Sequence, residues 1–400
     1  MAKNRILNEV GLPLEAAILL IAGLMMLITG ILLFPVSTGA LPYYENGLYG
    51  LLLFIFALQI VTLGKTPFGD MNRSVPLIVV GVIIAAVGIV TCFIPGLLSW
   101  LPRILLFICF APGGLLLLLQ MFLSKEKLRL WLKYGGIFQH LIIVCVAVYV
   151  LSIVVGVLIL VHELLNIAMT AAVALIFGVA IIYLAFVLRK IYLIYPAAEN
   201  VNQGTVQLSS DKMMLLITGV FMLLLGALLI PVSLGQLPFS GSAQLGLLMI
   251  IFAIQMLASG STPIGPFPRN WLVIIFGLLF AALGIISGII PEILVKPLTV
   301  LVGVLNILGG VINLVKTLLP LLKKTQKSIS QAPPILRKLF FTQIVMACLS
   351  ILFGSSMLVS QFLPGLVVGV VLFANGCVLL YLIQILQSLD KMISQEAAIQ

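Results

Sequence analysis

The residues of this chain best able to bind a solute are amide side chains within long apolar stretches. Gln59 and Gln255 occupy equivalent positions in two related stretches, whereas Asn306 and Asn313 have no such counterpart. Because lipid penalises polar groups, such side chains tend to face the interior of a helix bundle. For Gln59 and Gln255 a symmetric pair of interhelical hydrogen bonds is the first interpretation, and contact with a solute is the second. Other unmatched amides of this kind are Gln120, Asn375 and Gln384.

Ionisable residues are absent from the middle of the apolar stretches, which disfavours proton-coupled or ion-coupled transport. His140 and His162 stand near opposite ends of one stretch, so they do not form the pair at one depth that a membrane haem needs. Glu163 beside His162 is typical of an exposed loop. No catalytic triad, nucleotide-binding loop or carboxylate pair can be assembled. We therefore predict no enzymatic activity and no cofactor.

The cysteines give no sign of a disulfide framework or a metal centre. The chain has five, an odd number, and none has a Cys-x-x-Cys or metal-ligand spacing. All lie in apolar stretches, where cysteine acts as a small core residue. They are Cys92, Cys109, Cys145, Cys348 and Cys377.

Composition identifies the chain as a polytopic, all-α membrane protein. Of its 400 residues, 62% are hydrophobic and 8% are charged, and the mean hydropathy is +1.32. Soluble domains are about half apolar, and apolar runs of about 20 residues indicate membrane-spanning helices. The predicted spans are 16–35, 48–64, 76–94, 101–123, 137–161, 165–188, 213–231, 244–260, 271–290, 297–316, 339–360 and 364–387.

The sequence contains an internal repeat, and its two copies are 196 residues apart. Pro-Val-Ser-x-Gly-x-Leu-Pro occurs at 35–42 and again at 231–238. The offset becomes 198 near the end of each copy, where Gly178 matches Gly376. We predict a first six-helix repeat at 1–190, a cytoplasmic linker at 191–212 and a second six-helix repeat at 213–400.

The distribution of charge predicts the orientation in the membrane. Of the 21 lysine and arginine residues, only Arg103 and Lys296 fall on the side opposite the N-terminus, together with Glu45, Glu163 and Glu292. By the positive-inside rule both termini are cytoplasmic. With six spans each, the repeats are parallel, and we predict three helical hairpins in each. The net charge of +10 then lies on the cytoplasmic face and does not indicate nucleic-acid binding.

Two basic cytoplasmic loops predict contact with anionic lipid headgroups. Residues 125–134 alternate basic and apolar side chains and include two aromatic residues, as in a segment lying at the membrane interface. Residues 323–338 carry a second basic patch. Docking of a protein partner at these loops is the alternative.

Small residues predict where helices pack closely. Four predicted helices carry glycines seven residues apart, which places each pair on one helix face. Gly113-Gly114 and Gly309-Gly310 lie in the middle of the fourth helix of each repeat. Close packing, a hinge and a cavity wall are the three alternative interpretations of these pairs. The glycines spaced by seven are Gly23, Gly30, Gly81, Gly88, Gly219, Gly226, Gly277 and Gly284.

A Thr-Pro-x-Gly sequence occurs at 66–69 and again at 262–265. Proline followed by glycine is typical of a tight turn. Arg73 and Arg269 follow the two copies, so we predict a turn with a basic anchor at the cytoplasmic face.

Residues 271–285, the following Ile-Pro-Glu at 290–292, and a helix with Gly303 and Gly309-Gly310 resemble the second hairpin of HdeD-type acid-resistance membrane proteins. That resemblance implies six spans arranged as three hairpins, and a non-enzymatic inner-membrane protein linked to stress. Each half of the chain is similar to one such unit, so the doubled length departs from the family.

A major-facilitator protein would also have twelve spans in two parallel halves. Asp70 lies in the loop where that family has a Gly-x-x-x-Asp and Arg signature, but the spacing differs and the second copy has Pro266 at this position.

Three hypotheses for function follow from these observations. The first is a non-catalytic structural or stress-related membrane component of HdeD-like type. The second is a facilitator of a small neutral solute along the interface between the halves, near Gln59 and Gln255. The third is an integral subunit of a larger complex, whose glycine faces contact partner helices.

Overall fold

The computed structural model describes residues 11–98, 100–123, 131, 133, 135–161, 164–196, 209–323, 334–359 and 363–399. Within these ranges it contains twelve helices long and apolar enough to cross a membrane, as predicted. The chain is therefore a multi-pass membrane protein. The helices are α1 Leu14–Ser37, α2 Glu45–Leu63, α3 Val75–Phe93, α4 Leu101–Leu123, α5 Ile137–Leu160, α6 Ile167–Ile194, α7 Ser210–Ser233, α8 Gly241–Ser259, α9 Trp271–Ile289, α10 Val295–Lys323, α11 Pro334–Leu358 and α12 Gly365–Ile399.

Helices α2 and α8 end in the same way, and a short hairpin follows each. Gly64 and Gly260 have φ of 69° and 73°, a left-handed conformation that suits glycine and stops the helix. The hairpins are β1 Lys65–Thr66 with β2 Gly69–Asp70, and β3 Ser261–Thr262 with β4 Gly265–Pro266. These are the two predicted turns.

Hydrogen bonds stabilise both turns in matching ways. The Thr66 hydroxyl donates to the carbonyl of Gly69 at 2.7 Å, and Thr262 donates to Gly265 at the same distance. Arg73 donates to the last turn of α2, and Arg269 donates to the last turn of α8. Each arginine thus satisfies a carbonyl that the end of a helix leaves without a backbone partner.

The helices pair differently from the predicted hairpins. In the first half the most extensive contacts are between α1 and α6, α2 and α3, and α4 and α5. The consecutive pairs α1 with α2 and α3 with α4 have much smaller contacts, although α5 also packs against α6. In the second half α7 packs on α12 and α8 on α9, and Gly303 of α10 meets Gly354 of α11. Hydropathy identifies spans but does not indicate which neighbour each one contacts.

The glycines spaced by seven lie at these helix contacts. A Cβ on Gly23 would lie 2.9 Å from the backbone nitrogen of Ile182, and one on Gly88 would lie 2.8 Å from the carbonyl oxygen of Gly50. Distances below 3.0 Å leave no room for a side chain, so the helix backbones touch. Contacts under 3.0 Å with the backbone of a neighbouring helix also occur at Gly30, Gly226 and Gly284. At Gly81, Gly219 and Gly277 the contacts under 3.0 Å are with the side chains of Val61, Leu380 and Leu257.

The mid-helix glycines also lie at close contacts. Gly113 faces the carbonyl of Pro67 in the first hairpin, and Gly309 faces that of Pro263 in the second. Gly114 and Gly310 face the neighbouring helices α5 and α11. Gly114 also contributes to the wall of a cavity, described below.

By packing, the chain divides into two compact units. The first comprises Met1–Gln207, Phe239–Ser261 and Phe267–Val295, so it contains α1 to α6 together with α8 and α9. The second comprises Leu208–Pro238, Thr262–Pro266 and Lys296–Gln400. Helix α6 ends at Ile194, beyond the predicted boundary of the first repeat. The division of the sequence into repeats 1–190 and 213–400 stays a prediction about duplication.

Within the first unit, two backbone hydrogen bonds join residues that are each other's counterparts. The amide of Tyr44 donates to the carbonyl of Ile289, and the amide of Ser240 donates to the carbonyl of Phe93, both at 2.9 Å. Ser240 corresponds to Tyr44 and Ile289 to Phe93 at the offset of 196. Equivalent residues therefore exchange equivalent hydrogen bonds.

Several predicted features lie outside the described residues. They are His162 and Glu163, most of the interfacial segment 125–134, the linker residues 197–208, and most of the basic patch from 324 to 333.

Candidate functional site: a cavity among the first six helices

A cavity of about 920 Å³ lies among helices of the first half. Its walls come from α1, α2, the β1–β2 hairpin, α4, α5 and α6, all within the first unit. Glycines at Gly23, Gly30 and Gly114 bring neighbouring helices of this group into close contact. Its aliphatic lining includes Leu19, Met26, Leu52, Ile55, Leu116, Leu117, Ile181 and Leu184.

Aromatic rings form much of the remaining apolar wall. Phe110 contacts Phe56 edge-on with ring centroids 4.9 Å apart, and contacts Phe177 edge-on at 6.0 Å. Trp131 and Tyr149 also line the cavity. Three helices thus contribute an aromatic wall whose rings hold one another in place.

An ion pair lies in the lining, where α1 begins and α2 ends. Lys65 donates to one oxygen of Glu15, and the Tyr192 hydroxyl donates to the other at 2.6 Å. The side chains of Glu15 and Lys65 are only 11% and 28% exposed. Their mutual attraction and the tyrosine hydrogen bond offset the cost of removing both charges from water.

The β1–β2 hairpin supplies a second carboxylate to the lining. Asp70 pairs with Lys65 in the register of the hairpin and is exposed. It forms no ion pair with another residue in the described ranges. The Gln120 amide donates to the carbonyl of Phe68 at 2.8 Å, which fixes the hairpin against α4. The polar end of the cavity is therefore attached to both α1 and α4.

Of the four predicted amide contacts, only Gln59 lines this cavity. Its side chain forms no hydrogen bond with another described residue, so its amide is available to a solute. Gln255 lies in α8 and is not part of this lining, although it has an interaction elsewhere. The two glutamines therefore have different surroundings despite their matching positions.

The predicted asparagines belong to α10. Asn306 donates to the carbonyl of Val302 at 2.9 Å and accepts from Ser350 of α11 at 3.2 Å, which is the role of an interhelical link. The carbonyl of Asn313 accepts from Thr317. Neither residue lines the cavity.

The predicted repeat relates these asparagines to residues of the cavity wall. At the offset of 196, Asn306 corresponds to Phe110 and Asn313 corresponds to Leu117, both of which line the cavity. At the offset of 198, Asn375 corresponds to Phe177, the third ring of the aromatic cluster. The second copy thus has amides where the first copy has apolar cavity walls.

The hydroxyl of Ser152 shows that the correspondence extends to contacts. Ser152 donates to the carbonyl of Phe110 at 2.9 Å, and Ser350 donates to the carbonyl of Asn306 at 3.1 Å. Equivalent helix pairs are therefore joined at equivalent positions, while the side chains beside the bond differ.

The remaining candidate residues do not form a reactive centre. His140 hydrogen-bonds to Tyr183 at 3.0 Å, and both residues are exposed. Cys109 and Cys145 line the cavity as free thiols. The described residues contain no group of three or more His, Cys, Asp or Glu side chains that could hold a metal ion.

The polar end of the cavity was not predicted from the sequence. Glu15 precedes the first predicted span, and Lys65 follows the second, so both were counted with the cytoplasmic charges. The available signal was the difference between copies, because Ser261 replaces Lys65 and Pro266 replaces Asp70.

No protein-family model matches the chain, and no curated protein or solved structure shows significant similarity to it.

Proposed function

We propose that this chain is a membrane carrier for a small, mainly apolar molecule, which binds in the cavity of the first half. The single observation that carries the proposal is the cavity of about 920 Å³ with an apolar wall and a few polar groups at one end. Small-molecule sites in proteins have volumes of about 300–1,000 Å³ and this kind of lining.

The composition of the lining supports a molecule that is apolar over most of its surface. Leucines and aromatic rings cover the walls, so an apolar solute loses little on leaving the bilayer. The free amide of Gln59 would orient one polar group of the solute. This proposal modifies the predicted facilitator, because it places the solute within the first half rather than beside both glutamines.

We also propose that the chain is a duplicated HdeD-like protein with parallel repeats. Support comes from the matching hydrogen bonds of the two Thr-Pro-x-Gly turns and from the exchanged backbone bonds of Tyr44 and Ser240. A pseudo-two-fold axis along the membrane normal would produce such an exchange. A stress-related role and the lack of enzymatic activity are parts of this proposal.

A role as a subunit of a larger complex has less support. The eight glycines spaced by seven pack against helices of this chain, so they are not free to receive partner helices. Purification in mild detergent tests this hypothesis, because a subunit would retain stoichiometric companions.

Binding of a neutral apolar fluorophore tests the carrier proposal. Trp131 lines the cavity, so N-phenyl-1-naphthylamine bound there should accept excitation energy from its indole. With the full chain in nanodiscs and with Trp100 and Trp271 replaced by Phe, we expect saturable energy transfer that Trp131→Phe removes. Ala22→Phe, which places a ring in the cavity beside α1, should weaken binding at least tenfold.

Ala22→Thr is the matched control, because the second copy has Thr218 at the corresponding position. Its affinity for the fluorophore should stay within about threefold of the unmodified chain, since one added hydroxyl and one added methyl group change the volume little. Energy transfer that is linear in fluorophore concentration and identical in all variants would refute the proposal, because it would report partition into lipid.

A further inference from the structure

We propose that the cavity of the first half selects lipophilic organic cations, in which an apolar body surrounds or carries one positive charge. This inference rests on the proposed function, since it specifies the chemistry of the molecule that the cavity binds. Three separate observations support it: the aromatic rings of the lining, the charges of the lining, and the different residues at the matching positions of the second copy.

Aromatic faces are the first support. Phe56, Phe110 and Phe177 form a continuous cluster, and Tyr149 and Trp131 add two electron-rich rings to the lining. The face of an aromatic ring attracts a cation, and the attraction is stronger where water is excluded. A neutral solute gains the same apolar contact from these rings but lacks that attraction.

Charge is the second support. Among the described lining residues there are two carboxylates, Glu15 and Asp70, and one ammonium group, Lys65. Glu15 is already bound by Lys65 and Tyr192. Asp70 therefore leaves the lining with one more negative than positive charge, although the whole chain has a net charge of +10. A cation is attracted to this lining and repelled by the rest of the protein.

The second copy provides the third support. It has Asn306 and Asn375 in place of the rings of Phe110 and Phe177. It also has Pro266 in place of Asp70, and Lys316 in place of Gln120. The same fold therefore does not require these rings or this carboxylate, which points to a ligand of the first copy.

Three probes of nearly equal size and shape separate charge from apolar contact. They are methyltriphenylphosphonium, which is cationic, triphenylphosphine oxide, which is neutral, and triphenylacetate, which is anionic. Binding of each tritiated probe to the full chain in nanodiscs of neutral lipid is measured by scintillation proximity. We expect the phosphonium to bind about tenfold more tightly than the oxide, and the acetate to bind most weakly.

Two variants locate the preference. Asp70→Asn should weaken phosphonium binding about fivefold and leave oxide binding unchanged, because it removes charge without changing shape. Phe110→Asn, which introduces the residue of the second copy, should weaken the binding of both probes. Asp211→Asn is the matched control, since Asp211 is an acidic residue at the start of α7 and lies outside the cavity lining.

Equal affinity of the unmodified chain for the phosphonium and the oxide would overturn the inference and leave the carrier proposal standing. Unchanged phosphonium binding in Asp70→Asn would also overturn it. Failure of both the phosphonium and the oxide to bind saturably would instead count against the carrier proposal itself.

Discussion

A single methyl group at Gly30 should loosen the contact between α1 and α6. A Cβ at this position would lie 2.8 Å from the carbonyl oxygen of Ala171 and 2.8 Å from the backbone nitrogen of Leu175. Both of these atoms belong to the backbone of α6, so no side-chain rotation can make room. Gly30→Ala therefore forces the two helices apart.

The expected cost of this change is about 1–3 kcal/mol of unfolding free energy, the range found when a well-packed core receives an extra carbon. Alanine is also more favourable than glycine in a helix by about 1 kcal/mol, and this difference partly offsets the cost. Gly241→Ala is the matched control, because a Cβ there has no heavy atom within 4 Å. Gly30→Ala should therefore be less stable than Gly241→Ala by about 1–3 kcal/mol.

Unfolding in mixed detergent and SDS micelles, followed by the modification of the buried thiol of Cys92, measures this difference. Cys92 has no exposed surface in the folded protein, so a maleimide reacts with it only after opening. Equal unfolding free energies for the two variants, within about 0.5 kcal/mol, would refute the close contact between α1 and α6.

Three further predictions concern polar contacts and orientation. Lys65→Met should destabilise the protein by about 1–2 kcal/mol because Glu15 loses its charged partner, and the double variant with Glu15→Gln should recover part of the loss in the same SDS titration. Ser287→Ala removes a buried hydrogen bond of 2.9 Å to the carbonyl of Ser242 and should cost about 1 kcal/mol, whereas a change below 0.3 kcal/mol would show that this bond contributes little. A cysteine replacing the exposed Lys391, in a chain without native cysteines, should react with an impermeant maleimide only from the cytoplasmic side, and labelling from the opposite side would reverse the predicted orientation.

The helices themselves could be predicted well from the sequence. Apolar length alone gave α4 at its observed bounds, 101–123, because the bilayer requires about 20 apolar residues in any spanning helix. Glycines spaced by seven predict faces of close helix packing, and backbone atoms of a neighbouring helix lie within 3.0 Å of the Cβ position at Gly23 and Gly30. Neither apolar length nor glycine spacing indicates which helix lies next to which. The contact between α1 and α6 is therefore known only from the structure.

The cavity could be predicted only in part. Gln59 was a candidate because a polar side chain in an apolar helix tends to face the interior. Its counterpart Gln255 gave the same signal, although it is not part of this lining. The difference arises on other helices, where Asn306 and Asn375 occupy the positions that correspond to Phe110 and Phe177. A cavity depends on side chains distant in sequence, so a local pattern around one glutamine does not define it.

Photo-crosslinking shows directly whether the first half binds a mainly apolar molecule in its cavity. A neutral aryl diazirine is added to the full chain in nanodiscs, and mass spectrometry locates the modified residues with and without excess unlabelled probe. We expect binding in the cavity to produce saturable labelling at Phe56, Phe110 and Phe177 of the cavity wall. Labelling confined to exposed apolar residues such as Ile143 and Phe341, each 68% exposed, and unaffected by competitor would contradict it.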